Sequence, residues 1–208
     1  MTAPTDLTIA ALLVSRVCHD LSAPAGAVGN GIEMLRDDGA DGLSDALELL
    51  EFSSNETLRR LQYFRLAFGA AGGLGATTPV AELRDAATAY FAERKAALHW
   101  PNPGEDNLSQ GAAKLALNLI LLAADALPRG GTVSVEIGGD RMRVTAAGDR
   151  PTISEASRDA LRGDVPEGGL TARVVQPFFT GALARAMGGE VGIDEADSRI
   201  ALAARVAP

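Results

Sequence analysis

The chain has 208 residues, 47% hydrophobic and 22% charged, which is ample for one large domain or two small ones with a packed core. A formal net charge of −8, with Lys and Arg scattered along the sequence, argues against nucleic acid as a partner. No apolar run approaches the roughly 18–20 residues needed to cross a bilayer, the N-terminus MTAPTDLTIA lacks the features of a signal peptide, and the lone Cys18 leaves no intrachain disulfide or CxxC metal site. A cytoplasmic protein without a membrane partner is the expectation.

The first predicted element is a helix over 6–36. Leu13, Val17, Leu21, Val28, Ile32 and Leu35 recur at spacings of four, four, seven, four and three. At roughly 100° per residue they form one apolar stripe, and His19 lies roughly 190° from its centre, facing solvent. Arg16, Ser22, Ala23, Gly26 and Asn30 share the side of His19. Pro24 removes the helical hydrogen bond to the carbonyl of Asp20 and should bend the helix a turn beyond the histidine.

RDDGADG, over 36–42, reads as a turn; its Asp37, Asp38 and Asp41 lack the spacing and the final Glu of a calcium loop. Leu43, Leu47, Leu50, Ser54, Thr57, Leu61, Phe64 and Phe68 then repeat at fours and threes, a heptad-like seam on a second helix. Two such helices make an antiparallel hairpin, and two copies pairing into a four-helix bundle would cover both seams. A homodimer is expected. GAAGGLGATTP, over 69–79, marks the boundary between a first domain, 1–72, and a second, 73–208.

The second domain alternates. A helix is predicted over 80–94, beginning near Thr78, then a short strand over 98–100 and a loop, PNPGEDN. An apolar helix over 109–127 ends at Pro128 and Gly130-Gly131, and strands over 132–137 and 142–146 form a hairpin across GGDR. Helices over 154–161 and 170–187 follow, then a second hairpin over 190–194 and 199–206. Helices on one side of a mixed sheet give an α/β sandwich, and the whole chain an α+β fold.

Chemistry concentrates at His19 and Asp20. A neutral imidazole is a good nucleophile near neutral pH. The neighbouring carboxylate can hold its far nitrogen in one tautomer or take up a proton. The remaining candidates have structural explanations. His99 beside Trp100 reads as a structural residue near a strand, and with one other histidine no zinc site forms. Cys18 reads as a packing residue, and Ser15 and Ser22 lack the partners of a hydrolase triad.

HDLSAP resembles the His-Glu/Asp-Leu-x-x-Pro box of sensor histidine kinases. RVCHDLSAPAGAV, with FRLAFGA closing the second helix, resembles more closely the dimeric bacterial histidine phosphotransferases of the ChpT type, along the whole chain. That resemblance implies a phosphotransfer hairpin followed by a domain derived from the kinase ATPase fold. It implies that His19 accepts and donates a phosphoryl group, with Asp20 orienting it or taking its proton. Two departures from the kinase pattern matter. Ala23 stands where many bifunctional kinases carry Thr or Asn, so phosphatase activity is not implied. In the NLxxNA run the metal-binding second Asn is Leu122, and the aspartate of the adenine-reading Asp-x-Gly-x-Gly falls on Ala146. Gly168-Gly169-Leu170 is at most a remnant of the glycine lid, and MGGEV reads as a turn leading into a strand.

The expected function is therefore transfer from a phospho-aspartyl receiver domain to His19 and on to a response regulator, without ATP. No cofactor or metal is assigned to the chain, and Mg²⁺ is expected from the receiver. Receivers would dock on Arg16, Ser22, Ala23, Gly26 and Asn30, with Phe64 and Arg65 from the second helix. Two alternatives remain open: a divergent histidine kinase, which ATP would label directly, and a noncatalytic dimeric scaffold that binds receivers.

Overall fold

Residues 5–37, 42–69, 77–101, 107–165 and 168–205 are described by the structure, a computed structural model. The expectations for Asp38, Asp41, Val206, and most of the 69–79 boundary and the 101–107 loop lie outside these residues. Helix α1 (Asp6–Asp37) carries an acid in its first turn and Arg36 in its last, matching the helix dipole at both ends. It continues as helix through Pro24. Helix α2 (Leu43–Phe68) runs back along it, and the two pack across small residues: Pro24 and Gly31 of α1, Ala46 and Ser53 of α2 are buried. A Cβ on Gly31 would sit 2.7 Å from Leu50 Cγ, so the glycine permits the close approach.

The apolar stripe of α1 is only partly covered. Leu13, Val17, Leu21, Val28 and Leu35 are half-buried, and Ile32 is exposed, because a single neighbouring helix is narrower than the stripe. On α2 the heptad residues Leu43, Leu47 and Leu61 likewise stand in solvent.

A short ribbon that the sequence did not announce follows: β1 (Thr77–Pro79) pairs antiparallel with β3 (Asn107–Ser109). Between them lie α3 (Val80–Phe91) and β2 (Ala96–His99). The β2 strand begins two residues earlier than expected, and Trp100 leaves the ladder to be buried. Helix α4 (Gln110–Asp125) is capped by Ser109, whose Oγ accepts the N–H of Ala112 at 3.3 Å. Strands β4 (Gly131–Gly138) and β5 (Arg141–Gly148) form the expected hairpin. Gly131 opens β4 at φ 143°, and a Cβ there would lie 2.3 Å from the Ala147 carbonyl.

Helices α5 (Glu155–Arg162) and α6 (Val175–Ala186) precede a last hairpin of β6 (Val191–Ala196) and β7 (Arg199–Arg205). Helix α6 starts later than the predicted 170, since the Thr171 carbonyl accepts the N–H groups of Val174 and Val175 in a turn. The sheet order is β2-β4-β5-β7-β6, with β2 parallel to β4 and the other neighbours antiparallel.

Register explains the core. Val133, Ala146 and Ile200 form one cross-strand row, Val135, Val144 and Leu202 the next, and Ile137, Met142 and Ala204 the third. All are buried on the face covered by α4, which is itself buried continuously from Leu115 to Ala124. The α+β class and the helix-covered mixed sheet are as expected. The core does not stop at the expected boundary: Tyr63, Phe64 and Ala67 of α2 belong to the same cluster as the sandwich. Among the described residues no helix is long and apolar enough to cross a membrane.

Candidate functional site

His19 projects from α1 with 84% of its side chain exposed, on the outward side that the helical wheel assigns it. Its Nδ1 lies 3.1 Å from Oδ1 of Asp20. With the proton on Nδ1, that nitrogen donates to the carboxylate and the lone pair stays on Nε2, which has no protein partner among the described residues. The other oxygen of Asp20, Oδ2, accepts from Nε of Arg16 at 2.8 Å, one turn earlier on the same helix. Arg16 in turn donates from Nη2 to Oδ2 of Asp125 at 3.0 Å, across to the end of α4. Burial works against the Arg16 charge, but Asp125 foremost and Asp20 next more than reverse this, and its pKa is raised.

Pro24 shapes the same site from the backbone side. Lacking an N–H, it leaves the Asp20 carbonyl without its helical donor. Arg60 of α2 supplies one instead, donating from Nη1 to the Asp20 oxygen at 2.6 Å. Its Nε donates to Oε1 of Glu56 at 2.7 Å, on a side chain that is 8% exposed. Asp20 is thus held twice, by Arg60 on its carbonyl and by Arg16 on its carboxylate. An exposed imidazole fixed in this way can act as a nucleophile through Nε2.

The sequence-predicted neighbours are placed unevenly. Ser22, Ala23, Gly26 and Asn30 are exposed on the His19 helix, and Ser22 donates to the Cys18 carbonyl at 2.7 Å. Arg16 is half-buried and engaged by two carboxylates. Phe64 is a correction: at 3% exposure it is core, set edge-on to Tyr63 and Tyr90, and cannot reach a docked protein. Arg65 beside it is exposed. Cys18 is also exposed instead of packed, and His99 ends β2 with its side chain in solvent while Trp100 takes the buried position. Arg60 and Asp125 were missed. The proline marks a freed carbonyl, but nothing in the local sequence names a donor 40 residues away.

In α4, Asn118 is buried and donates to the carbonyls of Ala67 at 3.0 Å and Lys114 at 2.9 Å, tying α4 to the foot of α2. Gln176 of α6 donates to Asn118 Oδ1 at 3.0 Å. Leu122 and Ala146 are buried apolar residues. A cleft of about 290 Å³ lies between α1, α4 and α6, lined by Arg16, Leu122, Asp125, Ser154, Arg173 and Gln176 among others.

The likenesses of the chain agree with this arrangement. A family model described as the histidine phosphotransferase C-terminal domain matches residues 80–199. The chain is 36% identical over 191 residues to the protein phosphotransferase ChpT of Brucella abortus (strain 2308), covering 90% of each. A solved bacterial phosphotransferase structure superposes with a TM-score of 0.88 at 33% identity, covering 98% of both chains. A helical hairpin bearing an exposed histidine, joined to a sheet domain matched by that family model, places the chain in the histidine phosphotransferase family, as a phosphotransferase.

Proposed function

We propose that His19 takes a phosphoryl group from a phospho-aspartyl receiver domain and passes it to a second receiver, as a relay that does not draw on ATP. The observation that carries this reading is the exposed His19 ring held at Nδ1 by Asp20. Nε2 would attack phosphorus in line with the aspartyl oxygen. The N–P bond forms as the P–O bond breaks, and its electron pair leaves on the receiver carboxylate. The positive charge that develops on the ring falls at Nδ1–H, where the Asp20 carboxylate can stabilise it or take the proton. The return step reverses this geometry, and positioning supplies most of the catalysis. Mg²⁺ would come with the receiver, which would dock over Ser22, Ala23, Gly26, Asn30 and Arg65.

Independence from ATP is supported by the residues where the kinase pattern has its ligands. Leu122 offers carbon where Mg²⁺ needs oxygen, and Ala146, fully buried, offers no acceptor to an adenine amine. Arg150, at φ 53°, stands where that glycine motif ends, a backbone bend kept without the glycine. A homodimer is supported by the apolar side chains left in solvent along one side of α2, Leu43, Leu47, Leu58 and Leu61, each about half exposed.

The test is transfer of label. Wild-type protein mixed with a phosphorylated receiver should become labelled, and His19→Ala should not. A labelled mutant would defeat the assignment. Labelling of the wild type by ATP would make the protein a divergent histidine kinase, and stable receiver binding without any transfer would make it a noncatalytic dimeric scaffold.

A further inference from the structure

We propose that Asp125, at the end of α4, is a positioning residue for His19, acting through Arg16 and Asp20, so that the sheet domain sets the reactive tautomer of a histidine on the hairpin. The inference rests on the assignment of His19 as the phosphoryl acceptor. Its geometry is a continuous chain: Asp125 Oδ2 to Arg16 Nη2 at 3.0 Å, Arg16 Nε to Asp20 Oδ2 at 2.8 Å, Asp20 Oδ1 to His19 Nδ1 at 3.1 Å. Each carboxylate meets a different nitrogen of one guanidinium. The planar group therefore cannot rotate toward one acid without losing the other.

Exposure concentrates the effect in the middle of the chain. Arg16 and Asp20 keep only 18% and 20% of their side-chain exposure, against 41% for Asp125 and 84% for His19. Screening by solvent is thus weakest where the two acids share the arginine. Arg60 already fixes the backbone of Asp20, so the remaining freedom is rotation of the carboxylate itself. Arg16 removes that freedom by occupying Oδ2 and leaving Oδ1 for the ring. Without Asp125, the guanidinium is held by a single i,i+4 contact and is free to turn about it.

The chain contains two histidines, which makes the tautomer directly readable in the full-length protein by ¹⁵N NMR, with His99→Gln separating the two signals. His19 should be mainly in the Nδ1–H form in the wild type, and Asp125→Asn should move it toward the Nε2–H form usual for a free imidazole. This readout needs no receiver, so it stands apart from the assignment of phosphotransfer, which His19→Ala tests. In the transfer assay Asp125→Asn should lower the maximal rate by about tenfold, as loss of a supporting partner does at other sites, with the half-saturating receiver concentration unchanged. Asp125→Glu should recover part of the rate. In an Asp20→Asn background, Asp125→Asn should cost nothing more, because the link it acts through is already cut. An unchanged tautomer, or a full further loss of rate in that background, would reduce Asp125 to an interdomain contact and overturn the inference.

Discussion

In the sandwich, three cross-strand rows of apolar side chains meet a helix buried continuously from Leu115 to Ala124. In the hairpin, the buried positions of α1 are Pro24 and Gly31, while Leu43, Leu47, Leu58 and Leu61 of α2 stand in solvent. One region closes its core within the chain, and the other leaves a row of leucines in solvent. The hairpin does join the sandwich at its foot, through Tyr63, Phe64 and Ala67, and Val17 and Leu21, which flank His19 and Asp20 on α1, pack against the same cluster. A site at the meeting of a self-sufficient region and an incomplete one can be held from below by the first and presented to partners on the second.

The largest expected effect separates the two kinds of packing. Leu119→Ala, at a fully buried position of α4, should destabilise the fold by about 2–5 kcal/mol, read by urea unfolding, and the loss should not depend on protein concentration. Leu47→Ser with Leu61→Ser should leave the monomer folded and instead break the proposed homodimer, read as a fall in mass by light scattering and a Tm that no longer depends on concentration. A doubly substituted protein that stays dimeric would show that this seam is not where copies meet.

Much of this layout is legible in the sequence, for a physical reason. Long elements repeat their period often enough to declare it: α2 ends at Phe68, where its heptads end, and α4 lies within the predicted 109–127. The β1–β3 ribbon was invisible because three residues on each side carry no period, and its pairing joins Thr78 to Leu108 across 30 positions. At the site, the outward face of His19 and its pairing with Asp20 follow from local sequence. Phe64 was misread because its heptad position is silent about α3, whose Tyr90 lies 6.0 Å from it ring to ring. The partner of Arg16 is hidden for the same reason: Asp125 lies 109 positions away and enters only through the tertiary fold.

The clamp on Asp20 supplies the next effect. Arg60→Ala should strand the Glu56 carboxylate, whose side chain is 8% exposed, and the carbonyl that Pro24 frees. Breaking a buried pair costs about 3–5 kcal/mol, and since Arg60 keeps 26% of its exposure, about 2–3 kcal/mol is expected here. Pro24→Ala restores a helical N–H to that carbonyl. In that background Arg60→Ala should cost about 1 kcal/mol less, the value of one hydrogen bond. Strictly additive losses in urea unfolding would mean that Arg60 serves Glu56 alone.

A further prediction probes the junction itself. The chain has two tyrosines, Tyr63 of α2 and Tyr90 of α3, and their rings stack at 4.2 Å in the shared core. Burial raises the pKa of both above the usual value of about 10, with the Arg94 cation offsetting part of the rise at Tyr90. A raised acid pKa in the folded state means that the unfolded chain loses these protons first. The stabilisation is therefore complete below pH 10 and declines as the pH rises above it, until the folded-state pKa is reached. With no other tyrosine in the chain, the tyrosinate absorbance reports on this junction alone. It should stay silent past pH 10 and then appear together with the loss of helical circular dichroism. Ionisation near pH 10 with the helices intact would show that the foot of the hairpin opens to solvent independently of the sandwich.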